Sequence, residues 1–181
     1  MLASGKGESV LTGCEAARSA LEQLAGHRFT AVGRAATLVW LAFGGEVPWT
    51  DYRGEQTVRP ELALHVQCRW RLLRDGGVLV EQGDLFAPGA RDRGGFANGS
   101  EIGSARFDDR VEAVAEIIAA ESPVVEAVSV SDQFALWLAL SSGLALEVFP
   151  AAREGWEDWR FFTAAGDRRH YVVENGALSM T

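Results

Sequence analysis

The pentapeptide Leu62-Ala63-Leu64-His65-Val66 returns as Leu144-Ala145-Leu146-Glu147-Val148, and a Trp-Leu-Ala triplet precedes each copy, at Trp40-Leu41-Ala42 and Trp137-Leu138-Ala139. In both halves a capped, helix-like segment comes first, then the triplet, then the pentapeptide. Such an order restricts the chain to one helix-plus-strands unit used twice, or to two strand pairs of like composition. The identities alone arise easily in a leucine- and alanine-rich sequence, so both readings stand. In either case strand periodicity gives the pentapeptide two faces: the leucines and valine point one way, and His65 and Glu147 the other.

Around this repeat the hydrophobic pattern predicts the remaining elements. Thr12 and Glu15 form a Thr-x-x-Glu capping box, and Cys14, Ala17, Leu21 and Leu24 make one helical stripe that Gly26 can end, so a helix is expected over 13–25. Residues 29–43 read as one long or two short strands around Gly33 that stop at Gly44-Gly45, and 44–60 read as a long connection. Leu62, Leu64, Val66, Cys68, Trp70 and Leu72 share one face and His65, Gln67, Arg69 and Arg71 the other, which predicts one strand. Asp75-Gly76-Gly77 turns it into a second strand, with Arg71 opposite Glu81 and Leu73 opposite Leu79. Asp108 or Asp109 caps a second helix that Ser122-Pro123 stops. Strands follow over 124–130, 134–140, 144–149, 156–162 and 170–173; the Ser141-Ser142-Gly143 loop sets Leu138 opposite Leu146 and Trp137 opposite Glu147. The expected fold is α+β, mainly antiparallel, with seven or more strands and two principal helices packed on them. It is read as a single domain over 1–181, with internal halves at 12–85 and 108–174 joined by a Gly-rich loop at 86–107.

Charge and composition exclude several classes. The 181 residues carry a formal charge of −8, with Lys6 the only lysine among 17 basic residues. This opposes binding to nucleic-acid phosphates and fits a GC-rich bacterial genome. No apolar run approaches the ~20 residues that span a bilayer, and the N-terminus has no basic segment followed by an apolar core. A cytoplasmic protein with reduced Cys14 and Cys68 is therefore expected, with no membrane or nucleic-acid partner.

The segments 34–44 (RAATLVWLAFG), 63–71 (ALHVQCRWR) and 159–162 (WRFF) resemble a family of uncharacterised bacterial proteins. The resemblance covers most of residues 30–173. It implies a stand-alone bacterial domain and carries no activity, cofactor or catalytic residue; its analogy to the immunity proteins of toxin systems is one of fold and gene neighbourhood.

Catalytic and metal-binding patterns are missing from the sequence. His65 and Cys68 invite a Cys-His reading, but on a strand they face opposite sides, and Cys68 shares the face of Leu64, Val66 and Trp70. His27, His65 and His170 have no metal-ligand spacing, there is no Cys-x-x-Cys, and neither a nucleophile elbow nor a phosphate loop is present. No catalytic residue, metal or cofactor is assigned. Glu157-Asp158 between Trp156 and Trp159 reads as a solvated acidic edge. Glu147, set across from Trp137, needs a cationic partner if buried.

Two functions remain. The first is a non-enzymatic protein that binds another protein, as an immunity-like or accessory factor; six tryptophans and open strand edges favour it. The second is a small-ligand binder or enzyme with a site between the halves, lined by His65, Glu147, Trp137 and His170, with 86–106 as a lid. Pairing of sheet edges into a homodimer is compatible with either.

Overall fold

The computed structural model describes residues 13–51, 53–90, 104–164 and 169–181. Helix α1 (Gly13–Leu21) continues as a single 3-10 turn, Glu22–Leu24, and buries Ala17, Leu21 and Leu24 as the stripe predicts. The proposed cap Thr12 lies outside the described residues. Strands β1 (Phe29–Ala35) and β2 (Leu38–Thr50) form a hairpin whose break is not at Gly33 but at Ala36-Thr37, where Ala36 takes φ 54°. Gly33 stays in the strand because the Trp40 indole lies across it; a Cβ there would sit 2.2 Å from the ring. Nor does β2 stop at Gly44-Gly45. It passes them by a bulge, with Gly44 at φ 79°, and runs on beside β3 (Gln56–Val66) as a long arm. The expected connection over 44–60 is therefore mostly paired strand.

The alternating run 62–72 also divides, into β3 and β4 (Arg69–Arg74). Between them the Gln67 and Cys68 amides both donate to the Asp158 carbonyl, at 2.9 and 3.1 Å, and the chain crosses from one sheet to the other. Alternation survives the crossing because both sheets face one core, so Leu62 to Leu72 stay buried at every second position. Strand β5 (Gly77–Glu81) pairs Arg71 with Glu81, but a bulge places Leu73 opposite Val78 rather than Leu79. Helix α2 (Arg106–Glu121) starts two residues before the expected caps, with Asp108 inside its first turn accepting from the Ala105 amide at 3.1 Å. Ser122, left-handed at φ 48°, ends it.

Strands β6 (Val125–Val130), β7 (Leu136–Leu140) and β8 (Leu144–Phe149) follow, with Leu138 opposite Leu146 and Trp137 opposite Glu147. Strands β9 (Glu157–Thr163), β10 (His170–Glu174) and a further strand β11 (Ala177–Met180) complete the chain. The fold is α+β, with two helices and two antiparallel sheets ordered β1-β2-β3-β9-β10-β11 and β5-β4-β8-β7-β6.

The two sheets share one plan. In each, a helix leads into a three-stranded meander, and the next strand crosses over to pair with the meander of the other sheet: β9 beside β3, and β4 beside β8. The proposed halves thus exchange strands and do not form separate bodies. They also exchange helices, since α1 packs against β6 and β11 while α2 packs against β1 and β5, closing the two open sides of the sandwich. Near the join, the Gly26 amide bonds the Val125 carbonyl and the Phe29 amide the Pro123 carbonyl. Of the 86–107 loop, only the ends are described: Gly89 and Arg106 donate to Ser104 and Ala87 across a short antiparallel bridge. The middle of the expected lid lies outside the described residues.

Candidate functional site

Burial of the leucine–valine face of β3 leaves Ala63 and His65 on the outer face of the six-stranded sheet. Register then builds two rows across that face. One runs Gly33, Trp40, His65, Arg160, Val172; the other runs Ala31, Ala42, Ala63, Phe162, His170. Three alanines in succession, flanked by an indole, an imidazole and a phenyl ring, leave a trench. Its volume is about 740 Å³, and Arg59, Pro60 and Glu46 of the β2–β3 arm border its other end. Shape follows from side-chain size: the alanine row is too short to fill the space between its larger neighbours.

Aromatic contacts hold the wall in place. His65 meets Phe162 edge-on at 4.7 Å, and Phe162 stacks on His170 at 5.1 Å. Arg160 sends Nη2 to Glu157 at 2.6 Å and approaches His170 Nδ1 at 3.5 Å, while its buried Nε finds no acceptor among the described residues. Burial, then the Arg160 guanidinium, hold the His65 imidazole below its ordinary value. The same two causes, in the same order, lower His170. Glu157 opposes the shift at both histidines; Arg59 adds to it at both, and His170 adds to it at His65.

These shifts set a pH dependence of stability. The unfolded chain protonates His65 and His170 near the ordinary value of 6.5, whereas the folded chain keeps both neutral to lower pH. The unfolded state therefore binds more protons in that interval. Stability is complete above about pH 7.5 and declines as pH falls through 6.5 toward the folded values. Urea titrations at pH 7.5, 6.5 and 5.5 are expected to show that decline, and His65→Gln is expected to flatten part of it.

The four residues singled out from the sequence do not converge on one site. His65 lines the trench, and His170 stacks on Phe162 beside it. Glu147 and Trp137 lie on the outer face of the other sheet, where Glu147 accepts from Arg71 Nε and Trp137 stands 44% exposed. Glu147 has the arginine partner that its surroundings require. Trp40, Phe162, Arg59 and the alanine floor were missed, because their partnership depends on cross-strand register and on the continuation of β2 past Gly45.

Cys68 lies in the core behind this face. Burial, then the charge of Asp158, push its thiol up to about 12, which removes the thiolate that a nucleophile needs. At pH 8 a maleimide is expected to label Cys14, which is partly exposed, and to leave Cys68 unmodified until denaturant is added. Asp158 itself is buried, 3% exposed, and accepts the Ala151 and Ala152 amides at 2.9 and 3.2 Å, a structural role in place of the expected solvated edge. No group of three or more His, Cys, Asp or Glu able to hold a metal occurs among the described residues, and no helix of these is long and apolar enough to cross a membrane. No protein-family model, curated protein or solved structure matches the chain.

Proposed function

We propose that this protein acts by binding another protein, and that the trench on the six-stranded sheet receives an apolar side chain of that partner. The observation behind this reading is the alanine floor between Trp40, His65 and Phe162, an apolar depression on a sheet face that no other element among the described residues covers. Small-molecule sites enclose most of their ligand. This trench is only half enclosed, and the β2–β3 arm beside it exposes Val58 at 55%, which suits a macromolecular surface. The bacterial origin and immunity-like or accessory role suggested by the sequence resemblance belong to the same proposal.

A comparative capture experiment tests it. Full-length protein, an Ala63→Leu variant that fills the trench and a Trp137→Ser variant on the opposite sheet are used as bait in native lysate and against the neighbouring gene product. A partner held by the first and third baits and lost by the second supports the reading. A partner held equally by all three places the interface elsewhere.

A further inference from the structure

Resting on the trench as the binding surface, the geometry points to a carboxylate anchor: the partner's extended segment places an acidic side chain at His65 beside Arg160, two residues from the apolar side chain over Ala63.

The argument comes from the shared plan of the sheets. Position 65 on β3 faces Arg160 on β9 in the same register in which Glu147 on β8 faces Arg71 on β4. Each arginine follows a buried tryptophan, Trp159 in one sheet and Trp70 in the other. In the five-stranded sheet the circuit is closed, because Arg71 Nε donates to Glu147 Oε2. In the six-stranded sheet the position of that carboxylate is taken by an imidazole, and Arg160 Nε has no acceptor among the described residues. A guanidinium N–H without a partner is costly, and because the Arg160 side chain is 36% exposed, an incoming carboxylate oxygen satisfies it once the neighbours covering Nε shift.

Local charge agrees. The charged groups acting on His65 and His170 are the guanidiniums of Arg160 and Arg59 and the single carboxylate of Glu157. Glu157 already bonds Arg160 Nη2, so two cations are met by one anion. Arg59 packs over Trp49 at 4.3 Å. Although the chain as a whole is acidic, the charged side chains acting on the two histidines are mainly cationic, with Glu46 standing beside Arg59 at the other end of the trench. Spacing agrees as well: residues i and i+2 of an extended segment point the same way, as Ala63 and His65 do on β3. The segment recognised is thus apolar-x-acidic.

The test uses full-length protein labelled with nitrogen-15 and two blocked peptides, acetyl-Gly-Leu-Ser-Glu-Gly-amide and its Gln counterpart. Shifts are expected at the Ala42, Ala63 and His65 amides, with the Glu peptide binding at least 5-fold more tightly. His65→Glu supplies the carboxylate internally and is expected to reduce that preference to under 2-fold while the spectrum stays folded. Equal binding of both peptides in the trench overturns the anchor and leaves the binding surface intact. If neither peptide shifts these amides, the trench reading fails with it. Hexanoate shifting them as strongly as the Glu peptide overturns a peptide as the source of the carboxylate.

Discussion

Replacing Arg34 with alanine is expected to lower the unfolding free energy by about 3–5 kcal/mol, the range for breaking one side of a buried ion pair. Arg34 is 8% exposed at the end of β1, and its guanidinium grips Asp108 by two bonds, Nε to Oδ1 at 2.9 Å and Nη2 to Oδ2 at 2.7 Å. The same carboxylate accepts the Ala105 amide and so begins α2. One side chain thereby fastens the second helix to the first strand, across the two halves of the sequence. Without it a largely buried carboxylate faces the core, and the side of the sandwich between β1 and β5 loses its closure. Urea denaturation followed by circular dichroism measures the loss; a change under 1 kcal/mol would mean that α2 is held by packing alone. Asp108→Asn should cost less than Arg34→Ala, because the amide oxygen can still accept one of the two bonds.

A loss of similar size, about 3–5 kcal/mol, is expected for Trp159→Ala. The ring is fully buried, and its Nε1 donates to the Phe134 carbonyl at 2.9 Å, joining β9 of one sheet to the connection before β7 of the other. Truncation leaves a cavity and strands that carbonyl. Trp159→Phe separates the two effects: it keeps most of the apolar volume and removes only the hydrogen bond, so about 1–2 kcal/mol is expected. Trp137→Ala, on the exposed outer face, should change stability by about 1 kcal/mol or less. Tryptophans that look alike in the sequence thus separate by face.

Much of the fold was legible because both sheets bury one side. The alternation over Leu62–Leu72, the helical stripes and the Ser141–Gly143 hairpin all follow from local periodicity. What periodicity does not carry is which strand pairs with which. The run from Leu62 to Leu72 looks like one strand because its core-facing residues keep their parity while the chain changes sheets at Gln67-Cys68. Gly44-Gly45 looks like a stop because a bulge and a turn use the same residues. The outer faces of the pentapeptides were correctly read as the faces of His65 and Glu147. Their convergence was not, since crossing strands place β3 and β8 at the centres of different sheets. Trench and anchor depend on that crossing: Arg160 lies 95 positions beyond His65 in the chain, and only β3–β9 pairing makes them neighbours.

Among the positions at which the two outer faces differ, the one on which the anchor rests is histidine at 65, where the other sheet carries Glu147. Measuring the unfolding free energy of His65→Glu at pH 7.5 tests this most directly. A carboxylate at 65 should reach Arg160 Nε as Glu147 reaches Arg71 Nε. The gain of a charge-assisted hydrogen bond, less the lost contact with Phe162, predicts a variant about 1 kcal/mol more stable than the parent. A variant less stable than the parent would show that Arg160 is not waiting for a carboxylate, and would contradict the equivalence on which the anchor rests.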